Sequence, residues 1–183
     1  DGEARVVKLF ANLVLGTALS GAIWASASAC GTADAHDTPD AVLNRSREMA
    51  AKYFNIEVAK AEGYRQLFEC TTHDEHGTMG VHFIHPGRAG DGKLVLGEPD
   101  VLTYEPQSDG SMQLVGMEYI VFEKDWKGKG VPGFLGRTLH RKTTVGVHPV
   151  DPYYELHVWH WRHNPAGMFA DWNPYVSCAH DLS

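Results

Sequence analysis

Residues 112–122, MQLVGMEYIVF, form a run of β-type residues that sets the fold class of this chain. Aliphatic, β-branched and aromatic residues favour strands, and the preceding PQSDGS (106–111) is typical of a hairpin turn. Comparable short runs on both sides are separated by Gly, Pro and Asp turns, and a long Gly-rich loop covers residues 123–137. We predict strands near Gln66–Thr71, Met79–His85, Val101–Tyr104, Met112–Phe122 and Tyr153–Arg162.

One helix is predicted ahead of these strands. Thr38 is a suitable N-cap residue, and Pro39 suits the first helical position. An apolar stripe at helical spacing begins at Leu43 and ends before Gly63, a suitable C-terminal stop. A helix followed by strands, without βαβ alternation, predicts a single α+β domain over residues 39–183. Its N-terminal amphipathic helix packs on a mostly antiparallel, curled or barrel-like sheet.

The first 29 residues have the three parts of a secretory signal peptide: basic Arg5 and Lys8, an apolar run over residues 9–24, and small residues over 25–29. We predict an exported protein, periplasmic or secreted, with a flexible leader over 30–38 and no membrane span in the mature chain. The alternatives are a retained membrane anchor and a buried N-terminal helix. The net charge of −7 argues against nucleic acid and anionic membranes as partners, because both favour a basic surface.

The chain has three cysteines. Cys30 directly follows the small residues and offers a lipid-anchor site, although Ala27 stands where such sites usually carry Leu. Cys70 and Cys178 then remain as a pair, and we predict a disulfide between them because an exported chain meets an oxidising compartment. Two buried free thiols are the alternative for a chain that is not exported.

Glu118 interrupts an otherwise apolar strand face. In a regular strand it shares that face with Met112, Leu114, Gly116 and Ile120. A buried, isolated carboxylate is costly unless it is paired, protonated or bound to a metal. Two other interpretations remain open: a bulge at Gly116 that turns Glu118 outward, and an Arg or Lys partner.

The histidines supply ligands for such a metal. On a strand, residues three apart point to opposite faces, so at most one of His82 and His85 faces a given site, and the same holds for His157 and His160. We predict a mononuclear site formed by His82, Glu118 and His157, with His140 as a possible fourth ligand, and with Gly80 and Gly116 leaving room for an ion or a ligand. Such donors suit a divalent Zn, Fe, Mn, Ni or Cu ion and do not suit calcium.

The segment 164–174 contains turn signals at Asn164-Pro165 and Asn173-Pro174. It is expected either to wrap the sheet or to fold back as an apolar lid, held near the sheet by Cys178. In the second arrangement Asp171 and Asn173 reach the site behind the ligands. Trp159 is expected in the core, with the lining of a small-molecule pocket as its other role.

Three segments, TMGVHFIHP (78–86), GMEYIVF (116–122) and YELHVWHWRHNPAGMFADWNPYVSC (154–178), resemble a group of exported bacterial proteins. The resemblance covers about residues 62–178 and implies no activity, since none is known for that group. Cupins also gather three histidines and a glutamate inside a β-barrel. This chain lacks their H-x-H…E spacing, so the similarity is one of site only.

Two functions follow from these patterns. The first is an exported metal-binding protein with a mononuclear His/Glu site. It is also a candidate metal-dependent enzyme, an oxidoreductase or a hydrolase, since an open metal position activates water or binds O₂. The second is a non-catalytic periplasmic binding or structural domain with packed histidines and aromatics. The sequence does not decide whether the protein is an enzyme.

Overall fold

A computed structural model describes residues 38–181. The predicted signal peptide, Cys30 and most of the leader lie outside the described residues. The helices are α1 (Pro39–Ala50), α2 (Ile56–Ala61) and α3 (Pro86–Ala89), with a 3₁₀ turn at Ala51–Phe54. The strands are β1 (Arg65–His73), β2 (Gly77–Ile84), β3 (Val101–Pro106), β4 (Met112–Phe122), β5 (Gly133–Phe134), β6 (Arg137–Thr138), β7 (His140–Val145) and β8 (His148–Val158).

The predicted N-terminal helix forms in two parts. Thr38 caps α1, since its Oγ1 accepts a hydrogen bond from the amide of Ala41 at 3.2 Å. Asn55 then adopts an extended backbone, and its side chain accepts a hydrogen bond from the amide of Glu57, which starts α2. Asparagine is a favourable N-cap residue, so the chain restarts its helix here. Gly63 follows α2 with a φ of +105°, as expected for a residue after a helix end.

Six strands form one antiparallel sheet in the order β1-β2-β3-β4-β8-β7, and this sheet curls into a nearly closed barrel. The α+β prediction with a mostly antiparallel, barrel-like sheet is confirmed. Strand β7 was not predicted, because its residues HRKTTV are polar and mostly exposed, as is common for an edge strand. Strand β8 starts earlier than predicted and ends at Val158, and the loop 123–137 contains β5 and the start of β6.

The two faces of the sheet bury different side chains. One face packs against the N-terminal helices, whose Tyr53, Ala59 and neighbouring Tyr64 are buried. Its core is formed by Val81, Phe83, Leu102, Tyr104, Met117, Tyr119, Tyr154 and Leu156. The other face, which we call the inner face, lines the interior of the curl. It carries a smaller apolar cluster that includes Val101, Ile120 and Tyr153.

Side chains close the seam between β1 and the β7–β8 turn. His148 stacks on Phe68 with ring centroids 4.1 Å apart, and its Nε2 lies 2.9 Å from Oε1 of Glu69. Gly146 lies against Thr71, since a Cβ atom built there would come within 2.7 Å of the threonine methyl group. The two ends of the sheet therefore meet through packing and one polar contact.

A β-bulge in β4 changes which residues share a strand face with Glu118. Thr103 pairs with Gly116 but Tyr104 pairs with Leu114, so Val115 is an extra residue in the strand. Leu114 consequently packs in the helix-side core rather than beside Glu118. The bulge precedes Glu118 and leaves its side chain buried, so it does not turn the carboxylate outward as the alternative interpretation required.

A disulfide and a pair of backbone hydrogen bonds are among the contacts that fasten the C-terminal segment to the sheet. Cys70 and Cys178 form the predicted disulfide, with an S–S distance of 2.06 Å. The backbones of Asn173 and Thr78 exchange two hydrogen bonds of 3.1 Å. Residues 164–181 therefore wrap one edge of the barrel. Within residues 38–181, no helix is long and apolar enough to cross a membrane.

Candidate metal centre

Three strands bring the candidate ligands to the inner face. His82 lies on β2, Glu118 on β4 and His157 on β8, and Glu118 is the direct cross-strand partner of His157. Thr103 on β3 is the cross-strand partner of His82, and its own partner on β4 is Gly116, two residues before Glu118. Neighbouring strands place same-face side chains about 5 Å apart, so this sheet order assembles the cluster from residues distant in sequence.

The cluster is compact and buried. Oε1 of Glu118 lies 3.0 Å from Nε2 of His82 and 3.4 Å from Nε2 of His157. One ligand atom from each of the three residues lies within 4.8 Å of the other two. Two ligands that lie about 2.0–2.2 Å from a tetrahedral ion are separated by about 3.3–3.6 Å. The distance between Glu118 and His157 lies in this range, and the distance between Glu118 and His82 is slightly shorter. The three side chains are at most 5% exposed.

Several polar atoms of the cluster have no hydrogen-bond partner among the described residues. They are both ring nitrogens of His157, Nδ1 of His82 and Oε1 of Glu155. Most buried polar atoms in proteins are hydrogen-bonded, and each exception needs a physical reason. Glu118 itself accepts a hydrogen bond from the hydroxyl of Thr103 at 3.2 Å. A cation held by the imidazole nitrogens would satisfy the unpartnered Nε2 of His157.

A second layer of side chains surrounds the ligands. Oε1 of Glu155 lies 3.6 Å from Nδ1 of His157, and its Oε2 accepts a hydrogen bond from the hydroxyl of Tyr153 at 2.9 Å. A carboxylate behind a metal-bound histidine is a common arrangement that fixes the orientation of the ring. Trp159 stacks on His157 at a centroid distance of 4.8 Å, and its Nε1 donates to the carbonyl of Ala170.

Gly116 has a different role from the one predicted. A Cβ atom at this position would lie 3.3 Å from the ring of Trp159 and 3.2 Å from the carbonyl oxygen of Val158. The missing side chain therefore makes room for Trp159, which in turn packs on His157. Gly80 has a φ of +100°, and a Cβ atom there would meet the carbonyl oxygen of Tyr104 at 2.6 Å. Both glycines permit close packing around the ligands rather than space for the ion.

The cluster and the side chains beside it carry an excess of negative charge. Lys142 forms an ion pair with Asp171, and both lie beside the cluster, close to Glu155. When Glu118, Glu155 and Asp171 are ionised and both imidazoles are neutral, three carboxylates face one ammonium. Two negative charges are then left without a counter-charge in this group. Unpaired buried charge is costly, so the region favours a bound cation or protonated imidazoles.

The pKa shifts of His157, Glu155 and Asp171 agree with this excess of negative charge, because each shift favours the charged form of its group. Burial by itself lowers the pKa of His157, but the carboxylates of Glu118 and Glu155 outweigh burial and raise it. Burial raises the pKa of Glu155, while His157 and Lys142 lower it, and the net direction is downward. Burial likewise opposes the ionisation of Asp171, but the hydrogen bond from Lys142 gives it a lowered pKa. Positive charge at the His157 imidazole is therefore stabilised.

The other predicted site residues lie apart from the three candidate ligands. His140 lies on β7 with 59% of its side chain exposed, and its Nδ1 is 3.4 Å from Asp171, so the structure does not bring it to the three ligands. Asp171 contacts His140 and Lys142 rather than one of the three candidate ligands. Asn173 instead holds the C-terminal wrap, because its side chain donates to the carbonyl of His163 and accepts from the amide of Tyr175.

One histidine of each candidate pair spaced three apart joins the cluster, while His85 and His160 lie beyond the ends of β2 and β8. Nδ1 of His85 accepts a hydrogen bond from the amide of Arg88, so His85 caps α3. His160 lies beyond β8, with Nε2 at 2.9 Å from Oγ of Ser46 in α1. Neither ring joins the cluster.

Sequence reasoning missed Thr103, Lys142 and Glu155. Glu155 shares a strand face with His157 at a spacing of two, and this signal was present in the sequence. Lys142 lies on the unpredicted strand β7.

Two cavities adjoin the cluster. An apolar cavity of about 120 Å³ lies on one side, and its lining includes Leu67, Ile120 and Val145. A polar chamber of about 70 Å³ lies on the other side, lined in part by Lys142 and Trp172. His82, Glu118, Val145 and Tyr153 line both of them. The candidate ligands thus form part of the wall between an apolar space and a polar one.

Comparison of this chain with protein-family models, with curated proteins and with solved structures found no match. The class of the protein therefore follows from its own fold and site. It is an α+β domain with a curled antiparallel sheet, and its interior holds a buried cluster of two histidines and one glutamate that is able to bind a metal.

Proposed function

We propose that this chain is an exported metal-binding protein that holds one divalent transition-metal ion through Nε2 of His82, Oε1 of Glu118 and Nε2 of His157. The observation that carries the proposal is the convergence of three buried ligand atoms within 4.8 Å of one another. The excess of buried carboxylates and the unpartnered nitrogens of His157 give further support.

The ligand set limits the chemistry. Two imidazoles and one carboxylate suit zinc, iron, manganese, nickel or copper, and iron oxygenases commonly use such a set. Three protein ligands leave at least one coordination position open, which is the usual difference between catalytic and structural zinc sites. Such an ion activates water or binds O₂, so a hydrolase or an oxidoreductase is the enzyme class that this site favours.

Export is part of the proposal. It is supported by the basic, apolar and small-residue order of the first 29 residues and by the disulfide between Cys70 and Cys178. Disulfides persist in oxidising compartments and are rare in the cytosol of mesophilic organisms.

A second candidate function is a binding or structural domain without a metal. The raised pKa of His157 favours it, since protonated imidazoles would also balance the buried carboxylates. In that case Glu118 is paired with two imidazolium groups and the cluster stabilises the fold. Metal binding separates the two functions, because protonated imidazoles do not bind a metal ion.

The test is a metal titration at pH 7.5 of protein stripped with a chelator, using Co²⁺ as a spectroscopic probe. We expect one Co²⁺ per chain in the wild type, and affinity at least 100-fold weaker in His157→Gln and in Glu118→Gln. His160→Gln is the matched control, because it alters a histidine three residues away that contacts Ser46 instead. Absence of stoichiometric binding in the wild type, or equal loss in His160→Gln, would contradict the proposal.

A further inference from the structure

The apolar cavity beside His82 and Glu118 has no role in holding the ion. Its lining includes Leu67, Ile84, Val101, Ile120, Phe122 and Val145, and His82 and Glu118 supply polar groups to its wall. The hydroxyl of Tyr153, which also lines the cavity, donates to Glu155. An interior space of this kind is suited to an apolar molecule rather than to water, since water needs two to four polar partners.

We infer that the metal centre takes a small apolar molecule, about the size of one six-membered ring, that lies in this cavity and presents one donor atom to the ion. The inference rests on the proposed metal site and names its ligand class. The size follows from the volume of about 120 Å³. An apolar cavity of about 150 Å³ in another protein binds benzene or xenon, so a single ring is near the upper limit here.

The polar chamber borders the same candidate ligands as the apolar cavity, so the site adjoins two spaces of different polarity. It measures about 70 Å³ and is lined by Lys142, Glu155 and Trp172, among others. Its charged groups suit water, and its volume admits only a few water molecules. An ion held by His82, Glu118 and His157 would therefore face an apolar molecule on one side and water on the other. Such a separation favours chemistry between a bound apolar molecule and a water-derived or proton-carrying group.

The cavity is partly open to solvent, and residues from both ends of the sheet line it. Leu67 on β1 and Val145 on β7 lie at opposite sides of the seam, and both line the cavity. The sheet order ends at these two strands, and the contacts of His148 with Phe68 and Glu69 bridge them.

The test uses Co²⁺-loaded protein with three probes: pyridine, which is a ring with a donor atom, benzene, which has no donor, and azide, which is a donor without a ring. Val150→Trp fills the cavity from a position that lines it and does not line the polar chamber. Val147→Trp is the matched control, because it makes the same change three residues away at a position that is 84% exposed. Cobalt absorption reports pyridine and azide, and ligand-observed NMR reports benzene.

We expect wild-type protein to bind all three probes. Val150→Trp should weaken pyridine binding at least tenfold and remove benzene binding while azide affinity changes less than threefold, and Val147→Trp should behave as the wild type. If Val150→Trp does not fold, Val150→Phe fills the same cavity with a smaller side chain and replaces it.

Equal binding of pyridine and benzene by the wild type and by cavity-filled protein would overturn the inference while leaving the metal site in place. Failure of the wild type to bind Co²⁺ would appear before any probe is added. That result would overturn the proposed function and this inference together.

Discussion

Glu118 lies in the middle of β4 at 4% exposure, where it faces two imidazoles and the hydroxyl of Thr103. The sequence placed it on an apolar face and left three explanations open: a metal, an Arg or Lys partner, or an outward turn. The structure removes the outward turn, since the side chain is buried. Its ion-pair partners among the described residues are histidines, which are themselves metal ligands when neutral.

Replacement of Glu118 by leucine separates a ligand from a structural ion pair. We expect Glu118→Leu to abolish metal binding and to lower the free energy of unfolding of the metal-free protein by less than about 2 kcal/mol, because removing one carboxylate relieves the local excess of negative charge. Removing one partner of a buried ion pair costs about 3–5 kcal/mol instead. Urea unfolding with chelator present, combined with metal analysis, gives both quantities. Unchanged metal content together with the larger loss would show that Glu118 is a pairing residue.

His160 gives a pH dependence that is independent of the metal. Burial and, to a smaller extent, the charge of Arg47 together lower its pKa to about 4. The unfolded chain has a histidine pKa of about 6.5, so between these values the unfolded state binds the proton more tightly. The free energy of unfolding should therefore fall as the pH decreases from about 6.5 to about 4.

We expect His160→Gln to remove part of this decrease. Urea unfolding at several pH values between 4 and 7.5, with chelator present, measures the slope. His140→Gln, at a largely exposed position, is the control and should keep the wild-type slope. An identical slope in the wild type and in His160→Gln would show that His160 has the same pKa in the folded and unfolded states.

At the scale of the elements, the sequence was most informative where strand periodicity is strong. The buried strands β2, β3 and β4 were predicted from their apolar content, and the face of His157 followed from the period of β8. Strand β7 could not be predicted, because HRKTTV has the composition of an exposed edge. The bulge at Val115 was also beyond the sequence pattern, since tertiary packing decides which residue becomes the extra one.

Gly80 connects strand geometry to the site. Its φ of +100° is unfavourable for other residues, and a Cβ atom there would meet the carbonyl oxygen of Tyr104 at 2.6 Å. Backbone strain of this kind costs about 1–3 kcal/mol, and the contact adds to it. We expect Gly80→Ala to destabilise the protein more than Gly110→Ala does, and to weaken metal binding because His82 lies two residues away on β2.

Gly110 is a matched control for this comparison. It also has a positive φ, of +81°, but a Cβ atom there would meet nothing within 4 Å. Thermal or urea unfolding of both variants, followed by a metal titration, isolates the effect of the close contact from the effect of φ. Equal destabilisation by the two substitutions would mean that the strand relaxes around Tyr104.

For the whole molecule, the disulfide between Cys70 and Cys178 joins residues 108 positions apart. The chain-entropy account assigns about 4–5 kcal/mol to a loop of this length. We expect Cys70→Ser/Cys178→Ser to lower the free energy of unfolding by a large part of that amount, and to loosen the C-terminal wrap that Asn173 and Thr78 hold. Urea unfolding and limited proteolysis measure the two effects. A loss below about 1 kcal/mol would show that the wrap is held by its other contacts.

The position of the metal tests the account most directly. Crystals of the protein, grown after loading with Co²⁺ or Zn²⁺, should be measured on both sides of the absorption edge of the metal. We predict one anomalous peak among His82, Glu118 and His157, about 2.0–2.2 Å from Nε2, Oε1 and Nε2 respectively. A metal-loaded crystal with no peak at this position, and with the Glu118 carboxylate hydrogen-bonded to both imidazoles, would contradict it.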